Sequence, residues 1–338
     1  MSHSTVKELV HSGVIQIGTK ARGNPDSLDF PKLAVGIANK DYPAKTPFLW
    51  GSVYEKVGLA VRNVRTFGEP ENAEVIFAAF RNDPQYIGGD VGVGFKDRVL
   101  QLLDDIDPLA KVMGAINVVV KTSKSLKGYN TDGVGFAVSL ADAFGGGQDA
   151  LQGRHVILLG AGGTTNAIAF ALVQRGCDVT ILNRTVSKAE DLADRINAYF
   201  GRKAADFGGR DAIGNVISNA SAVVSVIDDP HSPLDQFSAL GEIQLPPTKE
   251  SIEANLAQAA EILGRLPKDA VVADVMLRNT DTATIAQAKA MGFKTLDGLP
   301  MVYNQAVEAF WLVNEEDLNS KGVGKQQVAD IMAAAMKE

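Results

Sequence analysis

Gly160, Gly162 and Gly163, followed 20 residues after the last of them by Asn183-Arg184-Thr185, are the residues of this chain best suited to hold a charged ligand. Glycines in a tight turn let the backbone approach a ligand without Cβ interference. With Ala161 and Thr164 they open a helical run, whose first N–H groups and positive dipole end suit a pyrophosphate. Dinucleotide sites that take NAD place Asp or Glu after the next strand, to accept the ribose 2′-hydroxyl. Here that place holds Asn183, Arg184 and Thr185, with Lys188 close behind and no carboxylate to repel a 2′-phosphate. An arginine there can stack on adenine and pair with phosphate, while Asn and Thr supply hydrogen bonds. The set implies an NADP site.

The elements that must position these residues are legible around them. Residues 156–159 form an unbroken apolar run, as expected for a parallel strand covered on both faces. Ile168, Ala171 and Leu172 give the helical face, Gly176 its stop, and residues 179–182 the second strand. Ser187 with Glu190 reads as a capping box, followed by Leu192, Ala193 and Ile196 on one helical face. Strands at 222–227 and 270–276 alternate with helices at 251–263 and 282–291, and 228–248 reads as a loop. The alternation predicts a Rossmann-type doubly wound sheet over about 150–300. Gly145-Gly146-Gly147 and the residues after it read as a linker. Upstream, 32–37, 63–67 and 73–77 are strand candidates, while 48–59 and 97–103 read as helices. Two more helices, 304–313 and 326–336, close the chain, and the first forty residues carry no clear pattern.

At 338 residues the chain exceeds the usual single-domain size, so two domains are expected. A net charge of −7 gives no electrostatic footprint for nucleic acid or an anionic membrane. No apolar stretch has membrane-spanning length and the N-terminal residues read as no signal peptide, so a cytoplasmic protein is expected. One cysteine, Cys177, excludes an intrachain disulfide framework and reads as a packed thiol. The four histidines show no ligand spacing, and no metal is expected.

Four further segments, in order, resemble the shikimate/quinate dehydrogenase family. Gly92-Val93-Gly94-Phe95-Lys96 is similar to the family's loop ending in Pro-Phe-Lys, and Gly114-Ala115-Ile116-Asn117 to its Gly-Ala-x-Asn turn. Asn130-Thr131-Asp132-Gly133 matches its Asn-Thr-Asp-Gly signature. Asp297-Gly298-Leu299-Pro300-Met301 with Gln305-Ala306 resembles its C-terminal pattern. The resemblance implies an α/β substrate domain over 1–134, completed by helices of 304–338, and a Rossmann NADP-binding domain over 135–303. It implies hydride transfer between NADP(H) and a secondary alcohol or ketone of a shikimate-like cyclic hydroxy acid, a small-molecule substrate. Lys96 and Asp132 would handle the hydroxyl proton jointly, Asn117, Gln305 and Thr46 would bind substrate, and Gly298 and Met301 would border the cofactor. The resemblance allows a homodimer, which no residue pattern decides. Without it, Lys96 reads as a surface lysine and Asp132 as a helix cap.

The departures from the family fall on the substrate side. Its Ser-x-Ser-Pro, which holds a carboxylate, becomes Ala44-Lys45-Thr46-Pro47. Its Asn-x-Thr becomes Asp90-Val91-Gly92, which removes a hydroxyl and adds a negative charge, and its loop proline becomes Gly94, which loosens the backbone aiming Lys96. Its Tyr-Asn-Pro becomes Leu277-Arg278-Asn279, where Arg278 is a candidate carboxylate ligand beside Lys45 or Lys40. Lost polar partners predict a related but different hydroxylated substrate, because a site built for hydroxyls discriminates sharply. The alternatives are a dehydrogenase for an unrelated alcohol and an NADPH-binding sensor without turnover; the retained Lys96, Asp132, Asn117 and Gln305 speak against a sensor.

Overall fold

The computed structural model describes residues 5–147, 149–227, 235–277 and 280–337. The chain forms two compact units, one built from residues up to Thr131 and from Tyr303 onward, the other from Asp132–Val302. The glycine run at 145–147 lies inside the second unit, between a helix and a strand. No described helix is long and apolar enough to cross a membrane.

The first unit runs α1 (Val6–His11), β1 (Ile15–Ile17), β2 (Lys32–Ala38), α2 (Thr46–Val57), β3 (Val61–Gly68), α3 (Ala73–Asn82), β4 (Tyr86–Asp90), β5 (Asp105–Ile106), α4 (Pro108–Met113), β6 (Val118–Thr122) and β7 (Ser125–Tyr129). Its sheet has the order β1-β3-β2-β4-β6-β7-β5, with β3, β2 and β4 parallel. Along β2, Leu33, Val35 and Ile37 enter one core and Ala34 the other, so the strand is apolar on both faces. The first core includes α1 and α3, and the second includes α2.

Residues 73–77, expected as a strand, begin α3 instead. Ala73, Ile76, Phe77 and Phe80 are buried at spacings of three and four, so the longer helical stripe overrides the short β-like run. The first forty residues supply α1, capped by Thr5 and Glu8, and β1, which pairs antiparallel with β3.

The second unit runs α5 (Asp132–Ala143), β8 (His155–Leu159), α6 (Gly163–Gln174), β9 (Asp178–Leu182), α7 (Val186–Phe200), β10 (Ala205–Gly208), α8 (Ile213–Val216), β11 (Ala222–Ser225), α9 (Lys249–Arg265), β12 (Val271–Asp274), α10 (Ala283–Ala290) and β13 (Lys294–Leu296). All six strands are parallel in the order β10-β9-β8-β11-β12-β13. The order reverses between β8 and β11, and such a switch point opens a crevice beyond the strand ends. The start of α7 corrects the sequence reading: the helix begins at Val186 with Thr185 as N-cap, so Ser187 lies in its first turn and forms no capping box.

The remaining helices are α11 (Gly298–Ser320) and α12 (Lys325–Ala335). From Tyr303 onward they belong to the first unit, where Ala306, Phe310 and Met332 join the α2 core. Trp50 donates its indole N–H to the Ala306 carbonyl at 3.2 Å, and its ring meets Phe310 edge-on.

Within the second unit α5 packs closely on α6, and a Cβ on Gly133 would overlap the Ala167 carbonyl. Gly133→Ala is expected to destabilise the protein by about 1–3 kcal/mol, read as a lowered Tm; an unchanged Tm would show that α5 can shift freely. Cys177 is buried, with its thiol on the Leu151 carbonyl, and burial pushes its pKa up to about 12. At mildly alkaline pH only about one thiol in ten thousand is then thiolate, so a thiol reagent should label denatured protein but not native protein.

Candidate functional site

In the first unit the site is built on backbone hydrogen bonds that tie the loop after β4 to its neighbours. The Gly92 N–H donates to the Ile37 carbonyl at 2.8 Å and the Asn39 N–H to the Val93 carbonyl at 3.0 Å. The Val91 N–H donates to the Asn117 carbonyl at 2.7 Å, and the Ile116 N–H to the Lys96 carbonyl at 2.8 Å. Lys96, half-buried, therefore leaves a backbone pinned beside Asn117. Gly94 corrects the sequence reading. Its φ of +89° is closed to proline, and a Cβ there would lie 2.7 Å from the Cβ of Asn39. The glycine thus marks a different, tightly packed loop conformation rather than a loosened one.

Asn117 is only 4% exposed. Its Nδ2 donates to Thr131 Oγ1 at 2.9 Å and reaches Gln305 Oε1 at 3.5 Å, while its Oδ1 accepts the Thr131 N–H at 2.7 Å. Thr131 Oγ1 in turn donates to the Gln305 carbonyl at 3.2 Å. Three of the expected segments therefore meet in one lattice, with Asp132 one peptide bond beyond it as the first residue of α5. Thr46 opens α2, half-buried, behind an exposed Lys45 that gives no side-chain cap. Arg278 lies outside the described residues, and Leu277 is exposed.

A second cluster went unread in the sequence. Arg65, on β3, donates from Nη1 to Asp90 Oδ2 and from Nη2 to the Tyr42 hydroxyl. Its carbon chain carries the charge inward, since the Arg65 side chain is 2% exposed against 19% for Asp90. Burial pulls the guanidinium below its ordinary pKa, opposed by Tyr42 and Asp41; arginine nonetheless stays charged at any physiological pH. Asp90 is thus half of a buried ion pair, which revises its sequence reading as an added negative charge. Asn24 grips the backbone of Arg65 on both sides, accepting its N–H at 2.6 Å and donating to its carbonyl at 3.0 Å. The sequence carried only a weak signal: Arg65 sits in a strand that also holds Arg62 and Asn63, and Asp90 ends a strand two places away in the sheet, with β2 between them.

In the second unit the glycine turn follows β8 at the switch point. Gly162 is the N-cap of α6 and gives no side-chain cap, so the N–H groups of Gly163, Thr164 and Thr165 have no acceptor inside the helix. Gly162, Gly163 and Thr164 are exposed, and nothing lies within 4 Å of a Cβ built on either glycine. Thr165 Oγ1 and Ser225 Oγ are buried and have no hydrogen-bond partner among the described residues. Beyond β9, Asn183 Nδ2 donates to the Thr185 carbonyl at 2.9 Å and shapes the turn that exposes Arg184.

Arg184 lines a cavity with Val186, Gly209, Arg210 and Asp211. Burial first, and then the charge of Arg184, push the Arg210 guanidinium below its ordinary pKa. Arg210 Nη2 already donates to the Ala239 and Gly241 carbonyls, so it adds positive potential to the cavity that Arg184 lines, which favours an anion there. Arg210 was not anticipated, because only the fold brings it beside Arg184. Lys188 is exposed on the first turn of α7. Gly298 and Met301, both buried, start α11 against the end of β12, and a Cβ on Gly298 would overlap the Val275 carbonyl. Open glycine turn, uncapped helix start, unpartnered hydroxyls and paired arginines together fit a dinucleotide carrying an extra phosphate.

Comparison with known proteins agrees with this geometry. Residues 37–119 match the family model described as the shikimate dehydrogenase substrate binding domain, and residues 142–236 that of shikimate / quinate 5-dehydrogenase. A shikimate dehydrogenase (NADP(+)) of Azorhizobium caulinodans is 33% identical over 268 residues, 79% of this chain and 85% of that protein. Shikimate dehydrogenase from Aquifex aeolicus superposes with a TM-score of 0.67 at 26% identity, covering 89% of this chain and 97% of that one. The ligand-free 5-ketofructose reductase of a Gluconobacter species gives 0.68 at 26% identity, covering 90% and 98%. Two family models matched in order, and a third of the residues shared over most of both chains, place this protein in the shikimate dehydrogenase family.

Proposed function

We propose that this protein is an NADP-dependent oxidoreductase interconverting a secondary alcohol and a ketone on a shikimate-like hydroxylated ring. NADP(H), when bound, supplies or accepts the hydride. The names of the curated relatives support both the cofactor and the chemistry. What supports the reading most is the Asn117–Thr131–Gln305 lattice, a set of donors and acceptors suited to ring hydroxyls, built next to the backbone of Lys96.

Lys96 and Asp132 jointly take the hydroxyl proton in the oxidative direction and return it in the reductive one. Asn117, Gln305 and Thr46 orient the ring. Gly160 to Thr164 receive the pyrophosphate on the start of α6, with Gly298 and Met301 beside the nicotinamide end. Arg184, with Asn183, Thr185 and Lys188, holds the 2′-phosphate, and Arg210 adds a second positive charge there.

Lys96→Met should lower kcat by about 10²–10⁴-fold while leaving NADPH binding intact, measured by initial rates and by fluorescence titration. Full activity in this variant would remove Lys96 from the chemistry. Arg184→Ala should weaken NADPH binding about 10- to 100-fold and leave NADH binding nearly unchanged, because a charge-assisted contact to the 2′-phosphate is lost. An equal effect on both cofactors would contradict the assignment.

A further inference from the structure

The substrate side of the first unit has been rebuilt around a charge pair, and the rebuilding is coordinated across several positions. A Cβ on Gly92 would lie 2.5 Å from Arg65 Nη2 and 3.1 Å from the Tyr42 hydroxyl. A Cβ on Gly36 would collide with Asp90 Oδ1 and lie 3.0 Å from Arg65 Nη1. The space that a threonine side chain would fill at position 92 is therefore taken by the guanidinium and the phenol.

Arg65, Gly36 and Asp90 stand on three adjacent parallel strands, toward their C-terminal ends. Asp90 precedes the Val91 N–H that bonds Asn117, so the pair lies next to the hydroxyl-reading lattice. The guanidinium is withdrawn and Asp90 Oδ1 is buried against Gly36, so what a ligand reaching this floor meets is the Oδ2 side of Asp90, already paired with Arg65, and Tyr42. Such a floor carries no net charge and offers no exposed cation, so a carboxylate brought against it loses water without gaining a counter-charge, whereas hydroxyls lose little. Ala44 likewise offers no hydroxyl where the family pattern that Ala44-Lys45-Thr46-Pro47 resembles has a serine.

We infer that Asp90, backed by Arg65 and Tyr42, is a specificity determinant that selects an uncharged polyhydroxylated substrate over one bearing a carboxylate. The inference rests on the proposed hydride chemistry for its kinetic readout and is separable from it by binding. A competing seat for a carboxylate exists at the exposed Lys45 and the uncapped start of α2, and the test decides between them.

The probes are shikimate and its methyl ester, which share every hydroxyl and differ in charge. Initial rates of NADP⁺ reduction give kcat/KM for each, and calorimetry on the NADP⁺-loaded enzyme gives each affinity. The wild type should favour the ester by about tenfold or more in both measurements. Asp90→Asn keeps the shape but frees the Arg65 charge, and should shift the ester-to-acid ratio about tenfold toward the acid. Tyr42→Phe should weaken both ligands and leave the ratio near its wild-type value, which a general structural defect at Asp90 would not reproduce.

A wild-type preference for the acid would overturn the inference and assign the carboxylate to Lys45 and α2; this measurement needs no variant to fold. An unchanged ratio in Asp90→Asn would overturn it as well, as would failure of both ligands to bind. Selective binding of the ester without turnover would uphold the specificity and refute the hydride reading instead.

Discussion

The side-chain amide of Asn117 is the interaction on which the substrate side of the first unit depends. One buried amide supplies both a donor and an acceptor, and here both are used, on Thr131 and toward Gln305. Its own backbone accepts from Val91 and donates to the Tyr129 carbonyl, while the residue before it bonds Lys96. The loop after β4, the end of β7, the entry to α5 and the returning α11 are thereby fixed to one residue. Leaving such buried groups unpaired costs about 1–3 kcal/mol each, so the lattice is held together as a unit.

The Arg65–Asp90 pair obeys a different constraint. Withdrawing a guanidinium from water costs several kcal/mol, and the cost is tolerable only where a carboxylate and further acceptors surround it. Asp90 and Tyr42 meet that condition at the two Nη groups, Nε stays buried without a partner among the described residues, and Arg65 lies 4.6 Å from the centroid of the Tyr42 ring. The residues before β2 contribute too. Gly18 and Asn24 bond the backbone of Arg65, and Arg22 sits 3.6 Å over the ring of Phe48 on α2. A segment with no clear pattern in sequence thus fixes the strand and helix that flank the site. Its residues act through single polar contacts, which leave no periodicity to read.

In the second unit the nucleotide side follows from repetition of one motif. Parallel strands that are apolar on both faces and separated by helices leave little choice of topology, and the reversal of strand order sets where the crevice opens. Thr165, in the slot usually given to glycine or alanine, is fully buried and keeps an unpartnered hydroxyl among the described residues. The hydroxyl adds a polar group beside the turn, where α6 begins at Gly163.

The sequence by itself determined the fold class, the nucleotide turn and the ordered signature segments, because each is written in contiguous residues. Val156 to Leu159, Gly160 to Gly163 and Asn183 to Thr185 carry local propensity and local chemistry together. Residues 73–77 misled because five residues cannot separate a strand from the first turns of a helix whose stripe continues to Phe80. Ser187 and Glu190 had the spacing of a capping box, yet the turn made by Asn183 set the helix start two residues earlier. Only the tertiary structure decided that Asp90 is neutralised by Arg65, that Arg210 joins Arg184, and that Gly94 is a packed turn. Arg65 and Asp90 are separated by 25 positions in the chain, and the charge of a side chain depends on what lies beside it in space. Composition counts both residues as charged; burial against one another makes them, to a ligand, a single neutral surface.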